Sequence, residues 1–220
     1  MAKTYRQYCA LAHALDTVGD RWTLLIVREL LAGPRRYTDL AAGLVTVPTN
    51  LLSARLREME SNGLVQRTRL PQPAAAVMVY ELTELGEGLA APLVELARWG
   101  MRTLVPPRDG RSFRAHWLVL ALNARFEPSA ATGLTESYEF HIEGDGTVRF
   151  DIANGQGSAH LGPATDPAVS ITADADIFLE LAAGTISPAD ALARGALIDG
   201  APSAIARMAA VLPPRSSGPP

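Results

Sequence analysis

Few side chains in this sequence could catalyse a reaction or hold a metal. The 220 residues include one cysteine, Cys9, and four histidines that lie far apart. Cys9 and His13 are four residues apart, which would place them on one side of a helix, but two ligands do not complete a metal site. The sequence has no glycine-rich phosphate loop and no serine-nucleophile motif. It therefore predicts a protein that is not an enzyme and that carries no metal or cofactor.

Arginines are the more informative side chains, and they concentrate in the first half. Residues 1–106 carry 12 basic and 10 acidic side chains, a net charge of +2, whereas residues 107–220 carry 8 and 13, a net charge of −5. An acidic protein with a local basic face is compatible with specific DNA binding rather than with general coating of nucleic acid. Six of the twelve basic residues concentrate on the segment 35–82, which is predicted to form a helix, a turn, a second helix and a two-stranded ribbon.

The segment 48–62 has the two faces that a DNA-recognition helix needs. Leu52, Leu56 and Met59 recur at helical spacing on one side, and short polar residues with Arg57 lie on the other. Asparagine pairs well with adenine and arginine with guanine, each contributing about 1–3 kcal/mol of discrimination. Taken alone, this segment is also compatible with an ordinary amphipathic helix whose polar face is solvated. The Arg-flanked ribbon after it favours DNA.

Arginines outside this helix suit the DNA backbone, where contacts fix the register without reading the sequence. Arg55, at the flank of the helix, is expected to meet either a phosphate or a neighbouring carboxylate. The residues predicted to contact DNA are Thr49, Asn50, Ser53, Arg55, Arg57, Arg35, Arg36, Arg67, Arg69 and Gln72.

The elements of this segment are flanked by helices on both sides, which would position it. A first helix is predicted over residues 8–16, a second between Asp20 and Gly33, and a short third from Thr38 to Leu44. Strands are predicted over 65–70 and 77–82, and a long helix over 84–104. Asp20, Thr38 and Thr83 are the predicted N-terminal caps of their helices.

Several separated blocks resemble HxlR-type winged-helix regulators and occur in the family's order. They are Cys9 and the stretches 14–40, 50–65, 79–86 and 96–100, so the resemblance covers about residues 5–104. It implies a dimeric bacterial transcription factor that binds a two-fold-related operator, with the first helix and the long helix at the dimer interface. The chain departs from the family pattern at Thr46 and Pro48, which puts the register of the base contacts in question.

Cys9 occupies the position from which several HxlR-type proteins sense reactive carbonyls or oxidants. A sensing thiol needs exposure and a lowered pKa. The sequence offers Arg6 and His13 nearby. The alternative is a small buried residue of the first helix.

The second half combines segments of alternating polarity with helical segments, which predicts an α+β domain. Residues 106–110 combine prolines, charge and glycine, and mark a boundary between domains 1–106 and 107–212. A helix over 111–126 precedes an alternating hairpin, 137–143 with 148–152, and two further strands. Helices over 174–183, 188–194 and 201–212 follow, with an edge strand at 196–198. The tail 213–220 is predicted to be disordered.

Residues 111–212 resemble, in pattern and spacing, sterol-carrier-protein-type lipid-binding domains. The stretches that carry this resemblance are the helix 113–126, the hairpin EFHIEGDGTVRFDI and the segments SITADADIFLELAAG and ALIDGAPSAIARM. It implies an antiparallel-rich sheet and helices that enclose an apolar tunnel, with plain core packing as the alternative for each residue. The predicted lining residues are Trp117, Leu120, Ala121, Tyr138, Phe140, Phe150, Phe178 and Leu181.

These features together predict a dimeric, cytoplasmic regulator whose affinity for double-stranded operator DNA responds to a hydrophobic small molecule. One cysteine fits a reducing cytosol, and no apolar run approaches the roughly 20 residues of a membrane span. Two alternatives remain: a thiol-based sensor that switches through Cys9, and a lipid-carrier or sequestration protein. Whether binding represses or activates transcription stays open.

Overall fold

A computed structural model describes residues 4–71, 76–104 and 112–214. The chain divides into two compact units, residues 1–93 and 94–220, so the division falls within one helix. The boundary predicted at 106/107 and the wing residue Gln72 lie outside the described residues, as does the predicted tail from residue 215 onward. The boundary and the disorder of the tail therefore stay predictions.

The first unit contains helices followed by a two-stranded ribbon, in the predicted order. The elements are α1 Ala10–Val18, α2 Thr23–Leu31, α3 Tyr37–Gly43, α4 Thr49–Ser61, β1 Val65–Leu70, β2 Val77–Leu82, α5 Glu84–Glu87 and α6 Ala90–Met101, which continues into the second unit.

The ribbon is antiparallel and in full register, with Val65 opposite Leu82 and Leu70 opposite Val77. Both predicted strands are confirmed to the residue. Arg35, just ahead of α3, forms an isolated bridge to Tyr80, with N–O distances of 2.9 and 2.8 Å in the two directions. Helix α3, the turn, helix α4 and this ribbon form a winged helix-turn-helix.

The core of the first unit sits between α2, α3 and α4. Ile26, Leu40 and Leu52 are fully buried, and Leu56 and Met59 are almost so. The apolar positions of α4 therefore face inward as their spacing predicts, which leaves the opposite side of the helix at the surface.

Two predicted caps are wrong, because the side chains are used elsewhere. Helix α2 begins after Trp22, and Asp20 forms an ion pair with Arg55 instead. Helix α3 begins after Arg36, whose N–H donates to the Asp39 carboxylate at 3.1 Å, so Thr38 lies inside the helix. The partner of Asp20 is 35 residues away and is therefore not visible in the local sequence.

The long helix predicted over 84–104 is two helices, α5 and α6. Thr83 caps the first as predicted, since its hydroxyl accepts from the Gly86 N–H at 3.2 Å. Gly86 packs against the ribbon: a Cβ on it would lie 2.1 Å from the Leu64 carbonyl oxygen. Gly86 and Gly88 are poor helix residues, costing about 1 kcal/mol each relative to alanine, and the helix breaks there.

The second unit is an α+β layer of one sheet and several helices. After a 3-10 turn at Ala115–Trp117, its elements are α7 Leu118–Arg125, a 3-10 turn Pro128–Ala131, β3 Glu136–Ile142, β4 Gly146–Ala153, β5 Gln156–Leu161, β6 Val169–Ala173, α8 Ala175–Ala183, α9 Pro188–Ala193, β7 Leu197–Gly200 and α10 Pro202–Val211.

The sheet has the order β5-β4-β3-β6-β7, in which only the β3–β6 pair is parallel. The predicted α+β class with an antiparallel-rich sheet is therefore confirmed. One face is buried, as Tyr138, Phe140 and Ile142 on β3 illustrate, and the alternate residues Glu139 and His141 are half-buried.

The helix predicted over 111–126 begins late. Arg114 is extended, and the next N–H, that of Ala115, donates to the Asp145 carboxylate at 2.5 Å. This contact holds the chain outside the helix until the 3-10 turn.

Within the described residues, no helix is long and apolar enough to cross a bilayer.

Candidate DNA-recognition and ligand-binding sites

The outer side of α4 carries the residues predicted to read DNA. Thr49, Asn50 and Arg57 are exposed, and Ser53 is half-buried. They lie opposite the buried apolar side, so the helix has the two faces that the sequence predicts. Their contacts with bases stay predictions.

Tyr37 on α3 is a functional candidate that the sequence analysis missed. Its hydroxyl donates to the Thr49 carbonyl at 2.9 Å and accepts from the Ser53 hydroxyl at 3.1 Å. This one oxygen therefore holds the first turn of α4 and the hydroxyl of a predicted base contact. The partners are 12 and 16 residues away, so no local pattern could have indicated them.

Arg55 pairs with two acidic residues in this structure, and its contact with DNA stays a prediction. Its Nη1 lies 2.6 Å from Asp20 Oδ2 and also contacts the Glu58 carboxylate. Its side chain is only 12% exposed. Of the two expected partners for Arg55, a phosphate or a carboxylate, the structure contains the carboxylate.

The wing presents two of the predicted arginines on one face. Arg67 and Arg69 alternate with Thr68 on β1, opposite Tyr80 and Met78. Arg67 is exposed, and its Nε donates to Glu60 on α4 at 2.8 Å, a contact that raises the pKa of the guanidinium. The wing and the recognition helix therefore form one surface.

The arginines ahead of α3 differ from each other. Arg36 is exposed at the start of the helix. Arg35 is half-buried, and its Nη2 is buried without a hydrogen-bond partner among the described residues. A phosphate contact by Arg35 would require this side chain to swing outward.

Cys9 is exposed and occupies the N-cap position of α1. Hydrogen bonds from the backbone N–H groups of Ala12 and Leu11 lower the pKa of the thiol. The alternative of a small buried residue is therefore wrong. The cause of the lowered pKa is the helix N-terminus rather than Arg6 or His13.

In the second unit, three of the predicted pocket residues belong to one chain of ring contacts. Phe113 lies 6.4 Å from Trp117 and 6.5 Å from Phe178, and Phe178 lies 5.9 Å from Phe140, measured between ring centroids. The sequence analysis left Phe113 out, although it connects the other rings. We call Phe113, Trp117, Phe140 and Phe178 the aromatic cluster.

Four of the predicted pocket residues are partly exposed to solvent. Trp117, Leu120, Ala121 and Leu181 are half-buried, so an apolar molecule could cover surface that water now contacts. These four residues remain candidates for a ligand site.

Tyr138 and Phe150 are a correction to the predicted lining. Both are 0% exposed, so neither borders a space large enough for a water molecule. Phe150 packs against Phe126 at 5.4 Å, in room left by Gly157, whose Cβ would lie 2.6 Å from the Phe150 ring. Both residues are core in this structure.

The hydroxyl of Tyr138 belongs to a polar network within the same unit. It donates to Glu136 Oε1 at 2.5 Å, and Arg207 on α10 donates to both oxygens of that carboxylate. The Arg207 contact is the main cause that lowers the pKa of Glu136, whereas burial raises the pKa of Tyr138. The network fastens α10 to strand β3.

No group of three or more metal-ligating side chains occurs in the described ranges 4–71, 76–104 and 112–214. The second-unit histidines have ordinary partners: His141 Nδ1 lies 2.8 Å from the Thr147 hydroxyl, and His160 Nε2 lies 2.9 Å from the Ser158 hydroxyl.

Comparison with known proteins finds two separate family matches along the chain. Residues 17–107 match the HxlR-like helix-turn-helix family, and residues 120–211 match the SCP-2 sterol transfer family. Both resemblances inferred from the sequence are therefore confirmed.

Similar proteins are transcriptional regulators. The HTH-type regulator YvaP of Bacillus subtilis is 36% identical over 93 residues, which are 42% of this chain and 85% of that protein. An HTH-type regulator of Mycobacterium tuberculosis is 41% identical over 98 residues, 44% of this chain and 61% of its own length. The solved structure of the reduced form of YodB from B. subtilis has a TM-score of 0.39 and 30% identity, and the match covers 46% of this chain and 99% of that one.

Glu136 makes the stability of the second unit depend on pH. Its pKa is lowered in the folded protein, so its contribution is present above the unfolded value of about 4.3 and is lost as the pH falls through the folded value. We expect Glu136→Gln to lower the melting temperature by several degrees at pH 7, and the difference from wild type to shrink below about pH 4. Thermal denaturation followed by circular dichroism between pH 3 and 7 measures this.

Glu143→Gln, at an exposed position just beyond the same strand, is the matched control and should change the melting temperature little. An equal loss for Glu136→Gln at pH 3 and pH 7 would contradict the role of its charge.

Proposed function

Because the chain belongs to the HxlR-like helix-turn-helix family, a group of DNA-binding transcriptional regulators, we propose that it is a homodimeric, cytoplasmic regulator whose operator affinity is set by an apolar small molecule in its second unit. Membership of the family and the similarity to its relatives support DNA binding. The relatives are regulators and not enzymes. The dimer, the effector and the contacts with the operator are the proposal.

The observation that carries the DNA-binding role is the two-sided helix α4. Its apolar side is buried and its Thr49, Asn50 and Arg57 side is exposed, next to a wing that bears Arg67 and Arg69. Arg57 and Arg69 make no ion pair within the described residues. A helix of this kind fits the major groove, and an arginine there discriminates guanine.

Arg57→Ala tests this role. We expect it to weaken binding about 5- to 150-fold, the equivalent of about 1–3 kcal/mol, to a duplex that the wild-type protein selects from a random-sequence library. Fluorescence anisotropy at several salt concentrations measures both affinity and its salt dependence. Arg194→Ala removes the same charge from the second unit and should leave affinity within about twofold. Wild-type protein without salt-dependent DNA binding would instead favour a lipid carrier or sequestration protein.

Exposed apolar side chains support a dimer. Leu11 on α1 and Tyr8 just before this helix are exposed. On α6, Leu96 is 50% exposed and Trp99 is 68% exposed. Large apolar groups on regular helices are typical of surfaces that a partner covers. We propose that a second copy of the chain covers them.

Leu96→Glu should therefore shift the protein from dimer to monomer, because a carboxylate in an apolar interface loses its hydration. Sedimentation equilibrium at micromolar concentration measures the shift. Leu197→Glu is the matched control, since Leu197 is 67% exposed on edge strand β7, and it should leave the mass unchanged. A monomeric wild-type protein would contradict the dimer.

The second unit is the proposed sensor. Its match to the SCP-2 sterol transfer family and the half-buried Trp117, Leu120 and Leu181 beside the aromatic cluster favour an apolar ligand. Within this unit, Arg98 on α6 donates through Nε to the Ala124 carbonyl of α7 at 2.9 Å. Helix α6 begins in the first unit, so a ligand that moves α7 acts on a helix shared with the DNA-binding half.

A preference of a few kcal/mol for one state suffices for such control. Recognition helices of a dimer must match half-sites about 34 Å apart, so a small change in their spacing changes operator fit.

Ala121→Phe tests the ligand site, because a ring on α7 would occupy space that the ligand needs. We expect it to weaken binding of the apolar dye 1-anilinonaphthalene-8-sulfonate at least tenfold, measured by fluorescence titration, while the circular dichroism spectrum is retained. Ala193→Phe, at an exposed position on α9, should bind the dye like wild type. Equal dye affinity in both variants would move the site away from α7.

A thiol switch is the second candidate function, and the exposed Cys9 with its lowered pKa favours it. In this case N-ethylmaleimide should change DNA affinity in wild type and not in Cys9→Ser, because the thiolate sulfur adds to one carbon of the maleimide double bond and the other carbon takes a proton from water. Because Cys9 is the only cysteine, the pair isolates one sulfur. If alkylation leaves the DNA affinity of the wild type unchanged, the thiol switch is ruled out and the apolar effector remains as the proposed signal.

A further inference from the structure

The loop between α1 and α2 is held in an unusual conformation against the recognition helix. Trp22 has φ +82°, a value that bulky residues rarely adopt. Gly19 cannot carry a side chain, because its Cβ would lie 2.4 Å from the Leu15 carbonyl oxygen. Between these two residues, Asp20 extends its carboxylate to Arg55 on α4.

Arg55 is the partner that fixes this loop. Its Nη1 lies 2.6 Å from Asp20 Oδ2 and contacts Glu58 one turn further along α4. Its Nε is buried without a hydrogen-bond partner among the described residues. A guanidinium with a buried stem and two carboxylates on one nitrogen is held in a single position.

A phosphate that approached Arg55 would meet the two carboxylates already on its Nη1. Asp20 and Glu58 are about half exposed, so if Arg55 left them their charges would repel the DNA backbone without a neutralising partner. Arg57, two residues along, is exposed and has no such carboxylate partner among the residues that the structure describes.

We infer that Arg55 is a positioning residue, which sets the orientation of the recognition helix by tying it to the α1–α2 loop through Asp20. The pair gives α1, the helix that begins at Cys9 and exposes Leu11, a direct connection to α4. This inference rests on the proposed DNA-binding function for its main readout, but the ion pair itself can be tested without DNA.

The sign of the Asp20→Asn effect decides between positioning and contact. If Arg55 positions α4, Asp20→Asn and Arg55→Gln each weaken binding to the library-selected duplex about tenfold, and the double variant is no weaker than either single one. The dependence of log K on log salt keeps its slope in all three, since no phosphate contact is lost. The Arg57→Gln control weakens binding additively with Asp20→Asn.

If Arg55 contacts a phosphate instead, Asp20→Asn frees it and tightens binding, and Arg55→Gln lowers the salt slope by about one. Either result overturns the inference. Asp20 lies in an exposed loop, so Asp20→Asn remains informative even if Arg55→Gln does not fold.

A measurement on the free protein separates this inference from the proposed function. In a Trp99→Phe, Trp117→Phe background the remaining tryptophan is Trp22, which stacks with Arg21 at 5.3 Å. Loss of the ion pair should relax the loop. In both Asp20→Asn and Arg55→Gln we therefore expect a shifted emission maximum of Trp22 and a change of at least twofold in the constant for its quenching by iodide. Unchanged Trp22 fluorescence overturns the inference whether or not the protein binds DNA. A protein that shows the shift but binds no DNA would contradict the proposed function alone.

Discussion

Burial of one side of helix α4 is the constraint on which the DNA-binding unit depends. Leu52, Leu56 and Met59 have almost no exposed surface, so α4 cannot rotate about its axis without bringing apolar groups into water, at about 25 cal/mol for each Å². Burial fixes which residues face outward but leaves small tilts and shifts possible. The Tyr37 hydroxyl at the first turn and the Asp20–Arg55 pair at the middle restrict those remaining motions.

In the second unit a similar constraint narrows the region where the proposed ligand site could lie. The covered face of the sheet is closed at Tyr138 and Phe150, and the Tyr138 hydroxyl is already bonded to a carboxylate that Arg207 neutralises. Opening the structure there would leave buried polar atoms without partners, which costs about 1–3 kcal/mol for each. An apolar molecule meets less resistance at the half-buried Trp117, Leu120 and Leu181. The site that the packing allows is therefore smaller than the tunnel that the sequence predicts.

The sequence predicts those features whose causes are local. The β-rich composition of 65–70 and 77–82 placed β1 and β2 to the residue, since β-branched and aromatic side chains favour strands. The cap at Thr38 failed because α3 begins earlier, after Arg36, whose N–H donates to Asp39. The cap at Asp20 failed because a cap competes with any other partner of the same side chain, and the partner of Asp20 is 35 residues away. Tyr37 was missed for the same reason. The recognition face was predictable from amphipathicity, whereas the contacts that orient it depend on tertiary structure.

The two proposed inputs would reach α4 through different residues. The thiol lies at the start of α1, which ends at the Asp20 loop, and the aromatic cluster lies beside α7, which Arg98 connects to α6. Routes that share no side chain contribute additively to the free energy of one conformational equilibrium. A modified thiol and a bound apolar molecule can therefore each bias the same pair of states, and neither requires the other. The presence of a lipid-binding type of domain in this chain is thus no argument against a responsive Cys9, because each input needs only its own difference in affinity between the two states.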